Sequence, residues 1–321
     1  MIAPPRLSLA RLPTPFQPLD RLSELFGGPR IWIKRDDLTE GVGGGNKIRK
    51  LEFVLGDALS QNATVLITSG GIQSNHCRAT AFVAAQLGLK CHLILRGKPP
   101  TPIDGNLLLD DLLGATVDYV SATEFTELDL CYQRAAEKFE SQGETPYCIP
   151  VGASNEIGIW GYVEAAKELT TDIQQADIQP SSIITAVGSG GTFAGLAAGL
   201  SAQSLPTRLI GICVAHDRKY FQQKINEDLT AWQDRYQQLP STIPHQLIDD
   251  FIGKGYGIAS QQVYELIKTV ATLEGIILDP VYTAKAMLGL SQLIHRKEIV
   301  DKDVIFIHTG GIFGLFPNQG F

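Results

Sequence analysis

Gly41-Val42-Gly43-Gly44-Gly45-Asn46-Lys47-Ile48-Arg49-Lys50 sets four glycines among five residues, then an amide and two lysines three apart. Glycine backbone can turn sharply or approach a ligand closely. Beyond it Ile48, Leu51, Leu55 and Ala58 recur at a helical period. Lys47 therefore stands at a helix start, with Lys50 one turn on and on a neighbouring part of the same face. Cations at a helix N-terminus oppose the macrodipole, so an anion or a reactive lysine is needed to explain them. Three readings are open. A surface loop with solvated lysines is the plainest. A nucleotide P-loop fails, because Asn46-Lys47-Ile48 stands where Gly-Lys-Ser/Thr is required and offers no hydroxyl to a metal. The third is a lysine that forms a Schiff base with a carbonyl cofactor.

Outward from this stretch, strand and helix patterns alternate. Strand-like runs fall at 31–34, 64–68, 91–95, 116–120, 147–150, 182–187, 209–214 and 304–308. Between them lie helical patterns, among them one over Leu107 to Leu113, one over Glu124 to Phe139, and one opened by Gly152-Ala153-Ser154-Asn155 that runs through Trp160. The charges of 217–238 solvate an exposed helix face. Such alternation predicts an α/β protein with mostly parallel sheets flanked by helices. A second glycine loop, Gly188-Ser189-Gly190-Gly191-Thr192, follows the strand at 182–187 and precedes an Ala/Leu-rich helix. Its backbone N–H groups and the helix dipole suit a phosphate. A dinucleotide fingerprint would require glycine at position 193, where Phe193 stands, so a single phosphate fits better than NAD. The competing reading is that these glycines serve only close strand–helix packing.

Composition narrows the function class. The 321 residues are 44% hydrophobic and 19% charged, values of a soluble globular chain with room for two domains. The net charge of −7 and the absence of a basic block exclude nucleic acid as a partner. No run is long and apolar enough to span a membrane, and Met1-Ile2-Ala3-Pro4-Pro5-Arg6 does not open a signal peptide. Five scattered cysteines, none with metal-ligand spacing, suit a reduced, cytoplasmic setting. Asp36-Asp37 is read as a turn meeting Arg35 or Arg49 rather than a metal site. Cys77, in an alanine-rich helix, is read as a buried inert thiol. His76 and His308 are read as helix-start and strand-end residues. Ser74 and Asn75 are ordinary N-cap residues by local sequence, Tyr256 could simply pack, and Tyr282 could cap its helix.

A reactive lysine behind one glycine loop and a phosphate loop about 140 residues later together suggest pyridoxal 5′-phosphate (PLP). Gly44-Gly45-Asn46-Lys47-Ile48-Arg49-Lys50-Leu51-Glu52 resembles the cofactor-lysine motif of the PLP-dependent family containing 1-aminocyclopropane-1-carboxylate (ACC) deaminase and D-cysteine desulfhydrase. The resemblance runs nearly end to end, through Ile33 to Leu38, Gly71 to His76, Val187 to Thr192, Gly255 to Gly257, Asp279 to Thr283 and His308 to Gly311. It implies the two-domain, tryptophan-synthase-β-like PLP fold type II. A smaller domain, 51–159, is then inserted in a larger one formed by 1–50 and 160–321, with the cofactor between them. It further implies a homodimer.

Residue by residue, the resemblance makes Lys47 the Schiff-base lysine and puts Asn75 beside the 3-oxygen of PLP. It gives the phosphate to Gly188, Ser189, Gly190, Gly191 and Thr192 with help from Lys50, and sets Ser74, Tyr256 and Tyr282 around a small amino-acid substrate. The deaminase branch typically carries glutamate at the position of Thr283 and leucine at that of Thr309; two threonines resemble the desulfhydrase branch. A neutral hydroxyl facing the pyridine nitrogen gives a weaker electron sink than a glutamate does, matched to expulsion of a thiolate rather than opening of a cyclopropane. The expected reaction is α,β-elimination of D-cysteine to pyruvate, ammonia and hydrogen sulfide. ACC deamination, elimination from cysteate or D-serine, and a PLP-binding protein without catalysis are the alternatives. Ile312-Phe313-Gly314-Leu315-Phe316 is bulkier than expected of desulfhydrases and bears on the size of the pocket.

Overall fold

Ser182–Val187 and Asp303–Ile307 are buried at every position. Strands of this kind lie inside parallel sheets covered on both faces. In the computed structural model, which describes residues 3–238, 243–300 and 302–317, the strands are β1 (Phe16–Pro18), β2 (Arg30–Lys34), β3 (Val65–Gly71), β4 (Lys90–Arg96), β5 (Thr116–Val120), β6 (Pro146–Ile149), β7 (Ser182–Val187), β8 (Arg208–Cys213), β9 (His245–Ile248) and β10 (Asp303–Ile307). The helices are α1 (Asp20–Phe26), α2 (Asn46–Ser60), α3 (Asn75–Leu87), α4 (Gly105–Leu112), α5 (Leu128–Glu140), α6 (Trp160–Gln175), α7 (Gly191–Ala202), α8 (Arg218–Tyr236), α9 (Gln261–Glu274) and α10 (Thr283–His295).

The strands form two sheets. One has the order β1-β2-β10-β7-β8-β9, the other β5-β4-β3-β6. All pairings are parallel except that of the short edge strand β1 with β2. The second sheet comes wholly from residues between β2 and β7, so the larger sheet is interrupted by it. α6 lies against both α2 and α7. Gly195 and Gly199 allow that approach: a Cβ on Gly195 would meet Ile159 O at 2.5 Å, and one on Gly199 would meet Val163 Cα at 2.9 Å. These two α7 glycines serve close packing.

Several boundaries differ from the sequence reading. α6 begins at Trp160, not at Gly152, because Gly152 (φ 68°) and Ala153 (φ 50°) are left-handed and form a tight turn instead. A single turn of 3₁₀ helix, Glu124–Glu127, precedes α5. The edge strands β1 and β9 lie where the sequence shows no apolar run. Asp37 does meet Arg35, at 2.7 Å, and Asp36 meets Arg49, at 2.8 Å.

The carboxyl ends of β3, β7 and β10 converge with the N-terminal ends of α2, α3 and α7. In open α/β sheets this is where ligands bind.

Candidate active site

α2 starts where two backbones touch. Gly45 (φ 111°) is its N-cap, and a Cβ there would lie 2.9 Å from Thr309 O, so conformation and space both require glycine. Asn46 N donates to Thr309 O at 3.0 Å, and its amide Nδ2 donates to Thr192 Oγ1 at 2.9 Å. One residue of α2 thus clamps the loop after β10 to the start of α7. Lys47 follows, half-buried, with Nζ 3.5 Å from Ser189 Oγ. Lys50 is fully buried and donates from Nζ to Ser154 Oγ at 3.3 Å. That serine donates to Ser189 Oγ at 2.9 Å and accepts from Gly191 N at 3.1 Å.

Neither amine has a carboxylate in salt-bridge contact among the described residues. Burial pushes the Lys47 ammonium down to about 8, with Lys50 and Cys77 partly offsetting it. Lys50 falls well below its ordinary value through burial and the proximity of Lys47. Two buried amines, two serine hydroxyls and the start of α7 form a cup whose chemistry lacks only an anion. Gly188 keeps space open beside it, since a Cβ there would lie 2.7 Å from the Tyr282 ring. This donor set fits a phosphate ester next to an aldehyde that Lys47 could capture.

The opposite wall comes from the β3–α3 loop. Ser74 is the N-cap of α3, its Oγ accepting from Cys77 N at 3.2 Å. Asn75 opens the helix and its Oδ1 accepts from Asn106 Nδ2 at 3.1 Å. Asn106 is itself oriented by Arg78, whose Nε donates to Asn106 Oδ1 at 2.7 Å. Asn75 therefore keeps its Nδ2 donor for the cavity. Tyr256 and Tyr282 meet through their hydroxyls at 2.5 Å, rings edge to face. Burial raises both phenols, and Tyr282, also flanked by Tyr256, is raised further.

Lys47, Asn75, Gly188, Ser189, Gly190, Thr192, Tyr282 and Thr309 line one cavity. Lys50 and Gly191 stand behind it through Ser154. Ser74 and Tyr256 flank Gly70 and Gly71 at its side: a Cβ on Gly70 would lie 2.5 Å from Ser74 Oγ, and one on Gly71 3.4 Å from the Tyr256 ring. Thr283 is different. Its hydroxyl donates to Asp279 Oδ1 at 2.7 Å and accepts from Asp279 N at 2.8 Å, so it is turned into the helix start and away from the cavity. Ile312 and Phe313 line a neighbouring cleft, with Phe313 stacked on the Arg78 guanidinium, rather than the cavity of Lys47. Their bulk does not narrow that cavity.

Sequence reasoning missed Ser154, which joins Lys50 to the loop after β7, and Lys224, whose Nζ donates to Ser154 O at 3.2 Å and pairs with Asp228. In sequence, the glycine-bearing turn before Ser154 resembles a helix start, with no mark of a binding element. Cys77 is buried, and burial raises its thiol, as befits an inert side chain.

Comparison with known proteins agrees with this geometry. Residues 7–310 match the family model described as pyridoxal-phosphate dependent enzyme. The chain is 45% identical over 315 residues to a putative 1-aminocyclopropane-1-carboxylate deaminase of Thermotoga maritima, covering 98% of each. It is 43% identical over 318 residues to a D-cysteine desulfhydrase of Salmonella newport, covering 97% of this chain and 95% of the other. A crystal structure of an ACC deaminase homologue superposes with a TM-score of 0.89 at 42% identity, over 97% of this chain and 93% of that one. A fungal L-serine ammonia-lyase of Rhizomucor miehei, TM-score 0.66 at 16% identity over 95% of this chain and 94% of that one, shares the fold. A glycine cup with two buried amines, an α/β frame and relatives matched over nearly their whole length agree: the chain belongs to the PLP-dependent enzymes of fold type II, in the ACC deaminase/D-cysteine desulfhydrase family.

Proposed function

We propose that this enzyme is a D-cysteine desulfhydrase, eliminating the thiol of D-cysteine to give pyruvate, ammonia and hydrogen sulfide. The observation that carries this reading is the cavity wall. Among the described residues lining it there is no carboxylate; Thr309 offers a neutral hydroxyl instead. Asp279 is near, but its Oδ2 accepts from Val281 N and Tyr282 N and its Oδ1 from Thr283 N and Oγ1, all within 3.0 Å. With its oxygens so occupied and Thr283 committed to it, Thr309 is the group that would face a pyridine nitrogen. A neutral partner of this kind suits the easier elimination.

PLP, when bound, supplies an electron sink that lets the Cα–H bond of an amino acid weaken. The protein's own residues do the rest. Lys47, with its amine brought down to about 8, is neutral often enough at neutral pH that it would hold the aldehyde and could take a proton. Lys50, Ser189 and the N-terminal turn of α7 would hold the phosphate. Asn75 Nδ2 would donate to the ring oxygen. Ser74 and the amides at the start of α3 receive the substrate carboxylate. Tyr256 and Tyr282, both raised, stay protonated and serve as donors to the departing sulfur rather than as bases.

The test is product analysis with D-cysteine, L-cysteine and ACC in parallel. Sulfide with pyruvate from D-cysteine, and no 2-oxobutanoate from ACC, is the expected result. 2-Oxobutanoate from ACC would overturn the choice.

A further inference from the structure

Lys285 has no place in the chemistry above, yet it is 1% exposed and makes no ion pair among the described residues. It sits on α10, three residues after Tyr282. Its Nζ donates to Ile252 O at 2.7 Å and to Gly255 O at 3.0 Å. Those carbonyls belong to the loop that delivers Tyr256, the second on the residue just before it. Beside them the loop has a backbone bond from Ile258 N to Gly255 O at 3.3 Å and the meeting of the Tyr256 hydroxyl with Tyr282. Gly253, Gly255 and Gly257 take φ of 69°, 132° and 77°, and a Cβ on Gly255 or Gly257 would meet nothing within 4 Å. Asp279 is the carboxylate that acts on Lys285, and its oxygens are already taken by the start of α10. Burial without a partner carboxylate brings the Lys285 ammonium down to about 8.

A buried unpaired ammonium is costly, and an apolar side chain of similar size would fill the space without that cost. What an apolar side chain cannot do is satisfy two loop carbonyls at once. We propose that Lys285 is a positioning residue for Tyr256. It ties the loop backbone to α10 so that the Tyr256 hydroxyl arrives 2.5 Å from that of Tyr282, which the same helix start carries. α10 thus holds the loop at two points, by backbone through Lys285 and by side chain through Tyr282. The proposal rests on the reading of Tyr256 as a residue that acts on substrate.

The experiment uses PLP-loaded Lys285→Met and Lys285→Arg. Amide hydrogen exchange at 253–257 needs no substrate and is read first. Exchange at least about tenfold faster in the methionine variant, with recovery in the arginine variant, is expected. Unchanged exchange overturns the tether. The second readout is a double-mutant cycle with Tyr256→Phe on whichever amino acid the enzyme turns over. Acting through Tyr256, Lys285→Met lowers kcat about ten- to a hundredfold alone and little further in the Tyr256→Phe background. Additive losses would show a merely structural role and overturn the positioning claim. A silent Tyr256→Phe would overturn the role of Tyr256 and the positioning claim with it, while the exchange result would still stand. Should Lys285→Met fail to load PLP, Lys285→Gln, whose amide can serve one carbonyl, takes its place in both measurements.

Discussion

Lys47 and Lys50 lie one helical turn apart, and both lose affinity for a proton chiefly because they are withdrawn from water. Lys47 lowers Lys50 further, whereas the hydrogen bond with Lys50 partly offsets the fall of Lys47. The consequence is a pH dependence whose sign follows from linkage. In the unfolded chain both lysines titrate near the ordinary 10.4. In the folded protein Lys47 titrates near 8 and Lys50 well below its ordinary value. Between about pH 8 and 9.5 the unfolded state therefore holds more protons on these two lysines, and their contribution to the stability of the cofactor-free protein rises with pH. The buried thiols of Cys77, Cys91 and Cys213, raised in the fold, act the other way in the same window, and above about 10 so do the buried phenols. Thiols and phenols are common to the cofactor-free and the PLP-bound protein, whereas bound PLP would set its anion against the two amines and remove their contribution. In thermal melts from pH 7 to 9.5 the cofactor-free protein should therefore gain on the PLP-bound one. A gap between the two forms that widens over this range would contradict the assignment of two unpaired buried amines.

α2 can present Lys47 and Lys50 with such accuracy because its far face is fixed. Arg49 is 2% exposed. It meets Asp36 through Nε and Nη2 at 2.9 and 2.8 Å, and Glu168 of α6 through Nη1 at 2.9 Å. Tyr162 donates to Asp36 at 2.5 Å, and Lys34 of β2 meets Glu168 at 2.6 Å. Burial works against the Glu168 carboxylate, but Arg49 and Lys34 outweigh it and hold it at about 2. Removing one member of such a group leaves the others charged and unpaired. Arg49→Met should cost about 3–5 kcal/mol in denaturant unfolding, whereas removing an exposed, solvent-screened pair such as Arg30–Asp20 should change it little. Equal, small losses at both sites would show that the group does not anchor α2. Much at this scale was legible in the sequence. Strands with an apolar run, such as β7 and β10, announce themselves, and the meeting of Asp36 with Arg49 follows from turn chemistry and nearby charge. β1 and β9 did not, because Phe16-Gln17-Pro18 and His245-Gln246-Leu247-Ile248 are short edges with no sustained pattern. The start of α6 is not legible either, because nothing in Gly152-Ala153 reveals a left-handed pair before the fold exists.

Across the whole molecule the site depends on contacts that only the assembled chain creates. Ser154 belongs to the turn before α6 yet completes the cup of α2 and α7, and no local pattern marks it. Thr283 shows the reverse: its position after Tyr282 made it a candidate, and the capture of its hydroxyl by Asp279 is visible only in three dimensions. The chain after β10 illustrates how far such dependence reaches. It leaves Thr309 in the cavity and crosses to the four-stranded sheet's side, where Phe313 stacks on Arg78 at 4.9 Å. There Gly105 (φ 55°) starts α4 in a space bounded on three sides. A Cβ on it would lie 2.5 Å from Pro317 Cγ, 2.6 Å from Gln73 Oε1 and 2.8 Å from Phe313 O. Gln73 and Asn106 bind each other, and Asn106 orients Asn75. Gly105→Ala must therefore displace either the C-terminal segment or the Gln73–Asn106 pair, and the second displacement reaches Asn75. Gly114, at the other end of α4, separates conformation from contact: its φ is 76°, and a Cβ there would meet nothing within 4 Å. Both alanines suffer the left-handed strain of about 1–2 kcal/mol. Only Gly105→Ala should also weaken PLP binding, by about tenfold, or about 1.4 kcal/mol. Titrating cofactor-free protein with PLP and following its absorbance measures this. Equal PLP affinity in the two variants would mean that the crossing segment and α4 are coupled to stability alone and not to the orientation of Asn75.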